Sequence, residues 1–211
     1  AVTAAREAQK SWASKSAYNR SQILYRMAEM LEGKRVEFVD VLKSTLGLTA
    51  AAADKEVSEA ISNVVYFAGF ADKFSQVIGA VNPVAGPHHN FTTPEAVGTV
   101  VYVASEKFSL SHLLRAMSAI ICSGNSLVVL MQREGSATLS SIAEMLATSD
   151  LPKGVVNLLS GDLSELSETI GSHMEIESLC YDGSDKAALS KMKELSIENF
   201  KRVIPGLDRE N

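Results

Sequence analysis

Two glycine-containing turns carry the residue types that could cradle a phosphate. Gly183-Ser184 precede a helical run, and Gly161 follows the short apolar run Val155 to Leu159. A nucleotide needs helix N-terminal amides and glycines that let the backbone approach closely. Here that signal is incomplete. The dinucleotide fingerprint G-x-G-x-x-G wants a second glycine, but Asp162 and Leu163 follow Gly161. Alone, Gly161 reads as a strand-end turn. Gly183-Ser184 is the better anion cradle, yet Asp182 and Asp185 flank it. Each would cost a diphosphate on the order of a kcal/mol at about 4–6 Å in a half-solvated cleft. The preferred reading of these residues by themselves is helix capping by Ser184, with Asp185 suiting the dipole.

Other chemistry is thinly represented. His88-His89 sit on an extended segment, where neighbours point oppositely and chelate poorly, and no metal site is expected. His173 follows Gly171-Ser172 and reads as a helix end, and His112 lies on a helix without a nucleophile beside it. Cys122 falls late in an apolar helix and Cys180 within an apolar strand, so both read as buried and inert. With no C-x-x-C spacing, they exclude a disulfide framework and a zinc module and fit a reducing, cytoplasmic compartment. G-x-S-x-G, P-loop and H-E-x-x-H patterns are absent.

The elements that would position these residues alternate. The 211 residues carry a net charge of −5 and 46% hydrophobic residues. That suits a globular chain able to bury a core, and it argues against nucleic acid or an anionic membrane as partner. No apolar run reaches the roughly 18 residues of a membrane span. The first residue is Ala, so the chain is expected to be processed or excised from something longer. Residues 1–78 read as helices. Ala1 to Trp12 forms one. A second stripe starts after the N-cap Ser16 with Ile23, Leu24, Met27, Met30 and Leu31, and runs on through Val36, Val39 and Leu42 to a stop at Gly47. A third starts near Ala50 and carries Val57, Ile61, Val64, Val65, Phe67, Phe70 and Phe74. Pro83, Pro87 and Pro94 mark residues 79–96 as a connection or extended arm. From 97 to 211, short strands alternate with helices: Val97 to Val103, Ser126 to Leu130, Val155 to Leu159, Ile176 to Tyr181 and Lys201 to Ile204, with helices over Ser109 to Cys122, Ser136 to Ala147, the run after Asp162, and Ser184 to Leu195. This predicts an α/β fold with a Rossmann-like, doubly wound parallel sheet, the three segments forming one structural domain.

The runs Val97-Gly98-Thr99-Val100-Val101, Ser123-Gly124-Asn125-Ser126-Leu127-Val128-Val129, Leu151-Pro152-Lys153-Gly154-Val155-Val156-Asn157-Leu158-Leu159-Ser160-Gly161, Ser172-His173-Met174 and Tyr181-Asp182-Gly183-Ser184 stand in an order that resembles the aldehyde dehydrogenase superfamily. Trp12, Arg20, Leu24, Ala28 and Leu31 match in type, and Phe91-Thr92-Thr93-Pro94-Glu95 is similar to the exit from the family's oligomerisation hairpin. The resemblance implies a nicotinamide-dependent fold with Gly161, Gly183 and Ser184 as vestigial cofactor contacts.

The departures touch chemistry. The family carries a proline-tryptophan-asparagine-x-proline stretch whose asparagine helps hold the oxyanion. Ser105-Glu106-Lys107-Phe108-Ser109 stand there, so Lys107 replaces the asparagine. Leu130-Met131-Gln132-Arg133 replace the lysine-to-glutamate stretch that grips the ribose, and Gly206 stands where the general-base glutamate belongs. The catalytic cysteine lies further on in the family. The pattern resembles the degenerate second module of the tandem family 16 aldehyde dehydrogenases. Four requirements fail, which implies a non-catalytic, structural or oligomerising module that packs on a sister catalytic module or on itself and needs no cofactor. The alternative is the NAD-binding part of an active enzyme. A third possibility is an anionic metabolite held by Lys107 and Arg133.

Overall fold

The computed structural model describes residues 1–206. Helices come first: α1 Val2–Ala13, α2 Ala17–Gly33, α3 Arg35–Leu46, α4 Ala50–Phe70 and the short α5 Phe74–Ile78. Ser16 caps α2 by accepting from the Asn19 N–H, and Gly47 ends α3 in the left-handed conformation with φ +66°. The long stripe expected through Leu42 breaks at Gly33–Lys34. The break restarts the helical register, so Phe38 and Leu42 are buried while Val36 faces solvent. Likewise α4 stops at Phe70, Phe74 belongs to α5, and Val65 is exposed.

An antiparallel hairpin, β1 Ala80–Asn82 and β2 Asn90–Thr92, fills the proline-rich segment, with Val81 opposite Phe91. Then come β3 Thr99–Val103, α6 Leu110–Cys122, β4 Ser126–Met131, a 3-10 turn Arg133–Thr138, α7 Leu139–Thr148, β5 Val156–Ser160, α8 Leu163–Ser172, β6 Ser178–Tyr181, α9 Lys186–Leu195 and β7 Arg202–Pro205. The helix expected from Ser136 starts at Leu139, because the 3-10 turn takes up the preceding residues.

The five-stranded sheet is parallel, in the order β5-β4-β3-β6-β7. Its alternating residues feed two cores. Val100, Tyr102, Leu127, Val129 and Met131 pack with α2, α4, α6 and α7. Val101, Val103, Val128, Leu130, Leu179 and Tyr181 pack with Leu163, Ile170 and Met192 of α8 and α9. Burial on both faces explains why β3 and β4 read as continuous apolar runs. Strand order reverses between β3 and β6, which opens a crevice between the loops that leave their carboxyl ends.

Buried cations close helix ends. Arg20 donates from Nε to the Cys122 carbonyl at 2.9 Å and from Nη1 to Ala13 and Lys15, and Trp12 Nε1 donates to the Ile121 carbonyl at 2.8 Å. The last carbonyls of α6, orphaned by helix geometry, are thereby satisfied. Lys201 Nζ does the same for α8, at 2.7 Å from the Ile170 carbonyl and 2.9 Å from Gly171. At the other end of α6, Glu56 of α4 accepts from the Ser109 hydroxyl at 2.6 Å and the Ser111 N–H at 3.0 Å. This contact anchors the end of the loop between β3 and α6.

Replacing Arg20 with Met removes charge-assisted bonds and strands buried carbonyls. It is expected to cost about 2 kcal/mol in urea unfolding. Lys43→Met, which breaks only the exposed Lys43–Asp40 pair, should change stability by less than about 0.5 kcal/mol.

Candidate functional site

The crevice is built from loop residues at the carboxyl ends of buried strands. Ala104–Ser109 leave β3, Gln132 and Arg133 follow β4, Gly161 and Asp162 follow β5, and Asp182–Asp185 follow β6. Two lobes meet here. One, of about 590 Å³, lies between α8 and α9 and is bordered by Leu163, Ser164, Ser184, Asp185, Ala188 and Lys191. The other, of about 470 Å³, is bordered by Arg133, Glu134, Ser136 and Gly161. Glu106, Gln132 and Asp162 border both.

Glu106 stands at the junction and occupies the anion cradle. Its carboxylate accepts from the Ser184 N–H at 3.2 Å, the Ser184 hydroxyl at 3.4 Å and the Tyr181 hydroxyl at 3.4 Å. Partial burial pushes the carboxyl up. Hydrogen bonds from its own backbone N–H, the Ser184 N–H, Gln132 and Tyr181 outweigh burial and hold it below the usual glutamate range. Burial, then the Glu106 charge, pushes the Tyr181 phenol up to about 12, so it stays a neutral donor. That hydroxyl also accepts from the Asp185 N–H at 3.1 Å.

The structure redistributes the residues singled out in the sequence. Ser184 does not cap α9; Asp185 does, accepting from the N–H groups of Ala187 and Ala188. The reason is geometric. The helix starts at Lys186, which places Ser184 one residue too early and turns its N–H and hydroxyl toward Glu106. Asp182 does not border either lobe. It turns to the opposite face of the sheet and accepts from the Tyr102 hydroxyl at 2.8 Å. Gly183 makes room for this chain's own ring, since a Cβ there would meet the Tyr181 hydroxyl at 2.3 Å. A Cβ on Gly161 would meet Leu166 Cδ1 at 2.9 Å and Leu130 Cδ1 at 3.5 Å.

Lys107 is exposed and borders a recess of about 10 Å³ with Tyr102, His112 and Asp182, whereas Arg133 borders the crevice. The two cations line different cavities, so they do not form the shared anion site considered above. Gly206 follows β7 at φ +39° and donates its N–H to the Tyr181 carbonyl at 2.6 Å. The residues after it, including Leu207, Asp208 and Arg209, lie outside the described residues. His88 and His89 sit in the exposed hairpin turn, and no group of three His, Cys, Asp or Glu side chains among the described residues could hold a metal ion.

Both thiols are remote from chemistry. Burial pushes Cys122 up to about 11 against the opposing pull of Arg20, and burial with Asp182 pushes Cys180 to about 11. Glu106 is the residue that sequence reasoning passed over. The available signal was an acid next to Lys107, where the resembled family has tryptophan.

Comparison with known proteins decides the family. The family model described as "Aldehyde dehydrogenase family" matches residues 1–208. The chain belongs to the aldehyde dehydrogenase family. It is 30% identical over 210 residues to the cytosolic 10-formyltetrahydrofolate dehydrogenase of Mus musculus, covering 96% of this chain and 23% of that protein. Among solved structures, it is similar to an NAD+ complex of a Bacillus cereus aldehyde dehydrogenase, with TM-score 0.89 and 27% identity over 97% of this chain and 41% of that one. An NAD-dependent benzaldehyde dehydrogenase from Corynebacterium glutamicum superposes with TM-score 0.84 at 26% identity, covering 97% of this chain and 44% of that one. The chain thus spans under half the length of these relatives. The parallel sheet and its helices correspond to the family's Rossmann-like NAD-binding fold. No described helix is long and apolar enough to cross a membrane.

Two measurements check the chemistry of the site. At pH 8 a thiol of pKa about 11 is roughly one part in a thousand thiolate, so neither Cys122 nor Cys180 of the folded chain should react with a thiol reagent until denaturant is added. Because the Glu106 carboxyl is lowered on folding, its stabilisation is complete above the ordinary value near 4.5 and fades as pH falls through the lowered one. Acid unfolding of Glu106→Gln should accordingly show a shallower pH dependence than that of the unaltered chain.

Proposed function

We propose that this chain is a non-catalytic aldehyde dehydrogenase-like module within a larger protein of the family 16 type, with a structural, oligomerising or protein-docking role. The observation that carries the reading is the Glu106 carboxylate on the Ser184 N–H and hydroxyl. A dinucleotide would bring its own negative phosphates to those donors and meet a like charge held in place by hydrogen bonds. The residues present therefore fit NAD poorly, and no hydride-transfer step is routed through them.

Three further positions support the reading. Lys107 stands in place of the oxyanion-binding asparagine and is exposed, with no amide to offer a developing alkoxide. Leu130 stands in place of the ribose-binding lysine and is buried in the sheet. Gly206 stands in place of the general-base glutamate and has no side chain to take a proton. Both cysteines are buried with their thiols pushed up to about 11, so neither is an activated nucleophile.

The docking role rests on the hairpin. Val81 and Phe91 are 72% and 62% exposed, and Val77 and Ile78 of α5 beside them are also exposed. An antiparallel pair with bare apolar side chains gains from a partner, either the sister module or a second copy. Two unpaired cysteines suit the cytoplasm, while the names of the relatives include both cytosolic and mitochondrial proteins.

The second reading, the cofactor half of a working enzyme, is favoured by two observations. The lobe between α8 and α9 is large enough for a nucleoside, and NAD-bound relatives share the fold. Calorimetry separates the two. On the first reading NAD binds no tighter than about 100 μM, and no NADH forms with any aldehyde offered. A dissociation constant below that would overturn it. In sedimentation, the chain is expected to self-associate with rising concentration, and the double substitution Val81→Ser, Phe91→Ser should leave it monomeric.

A further inference from the structure

We propose that Glu106 is an internal anion that latches the phosphate-facing donors of the crevice, and that removing its charge opens the crevice to a pyrophosphate-bearing ligand. The proposal rests on the reading of the crevice as a disused dinucleotide site.

Its first support is convergence. Three donors from the end of β6 and the turn after it, the Tyr181 hydroxyl, the Ser184 N–H and the Ser184 hydroxyl, aim at one carboxylate that comes from the loop after β3. All three are neutral donors, so they set out a pocket for an anion without binding the glutamate as an ion pair. The second support is position. The two lobes share Glu106, Gln132 and Asp162 at their waist. A ligand long enough to fill both would lay its linking group across that waist, where Glu106 now sits. The third support is that the carboxylate is dispensable to the core. The strand before it is fixed by sheet burial, and Ser109 after it is held by Glu56. Glu106 itself is half-buried on a loop, so losing its charge removes neither anchor.

A capping role alone would make Glu106 matter to stability and not to ligand choice. The latch makes a different prediction, because charge repulsion acts on phosphates and not on a neutral nucleoside. Glu106→Gln keeps an acceptor oxygen and removes the charge, while Glu106→Ala removes both. With the full chain in calorimetry, inorganic pyrophosphate and NAD should bind Glu106→Ala at least roughly tenfold tighter than the unaltered chain, with Glu106→Gln between the two. Adenosine, which carries no phosphate, should bind all three alike. Both variants should keep the circular dichroism spectrum of the unaltered chain.

A gain for pyrophosphate without a gain for adenosine supports the latch. No gain in either variant, an equal gain for adenosine, or loss of folding in both makes Glu106 a structural cap and overturns it. These outcomes are separate from those of the broader reading. Tight NAD binding by the unaltered chain sinks the non-catalytic module, whereas weak binding by all three proteins sinks only the latch.

Discussion

A parallel sheet covered by helices on both faces leaves its polar chemistry nowhere to go but the strand ends. Every side chain of β3, β4 and β6 is buried, so a polar atom on these strands survives only where it reaches a partner. Tyr102 and Tyr181 show how this works. They stand one register step apart on neighbouring strands, Tyr102 beside Cys180 and Tyr181 beside Val103, so each ring enters a different core. Tyr102 finds Asp182, and Tyr181 finds Glu106 and the Asp185 N–H. The crevice is therefore furnished by the demands of the two cores.

The same constraint explains the glycine turn. With Tyr181 in β6, its ring folds back over Gly183 so closely that only glycine fits. In a working phosphate site, a glycine clears space for the ligand's oxygens. Here the space is taken by the phenol, and the carboxylate of Glu106 completes the enclosure. Leu130, buried in the sheet, packs a methyl group 3.5 Å from where a Cβ on Gly161 would lie.

The elements were legible because their signals are local. Short apolar runs marked the strands, Ser16 and Gly47 marked helix ends, and clustered prolines marked the connection that turns out to hold the hairpin, all through spacing over a few residues. Misreadings arose where two local signals competed. Ser184 and Asp185 are both good caps, and the choice between them depended on a donor's need elsewhere in the fold. The stripe through Val36 looked continuous because hydrophobic periodicity cannot register a one-residue break at Gly33–Lys34. The site was half legible. Gly183-Ser184 stood out as an anion cradle, but its occupant lies 78 residues away on another loop, and no periodicity connects two loops that meet only because β3 and β6 are neighbours.

Scaffold and chemistry occupy different residues, and this separation is what makes the proposed reading physically coherent. The groups that tie the helices to the sheet are Trp12 and Arg20 at one end of α6 and Glu56 at the other, with Lys201 at the end of α8. None of them borders either lobe of the crevice. The positions that the proposed reading takes as departures, Glu106, Lys107, Leu130, Arg133 and Gly206, lie on or just before strand-end loops. Most of these are partly exposed, and substitutions at such sites alter stability little. Leu130 is the exception, and there an apolar side chain replaces a charge on a buried face, which favours the core. A chain of this design can lose oxyanion donor, ribose grip and base together while every anchor of the fold stays in place.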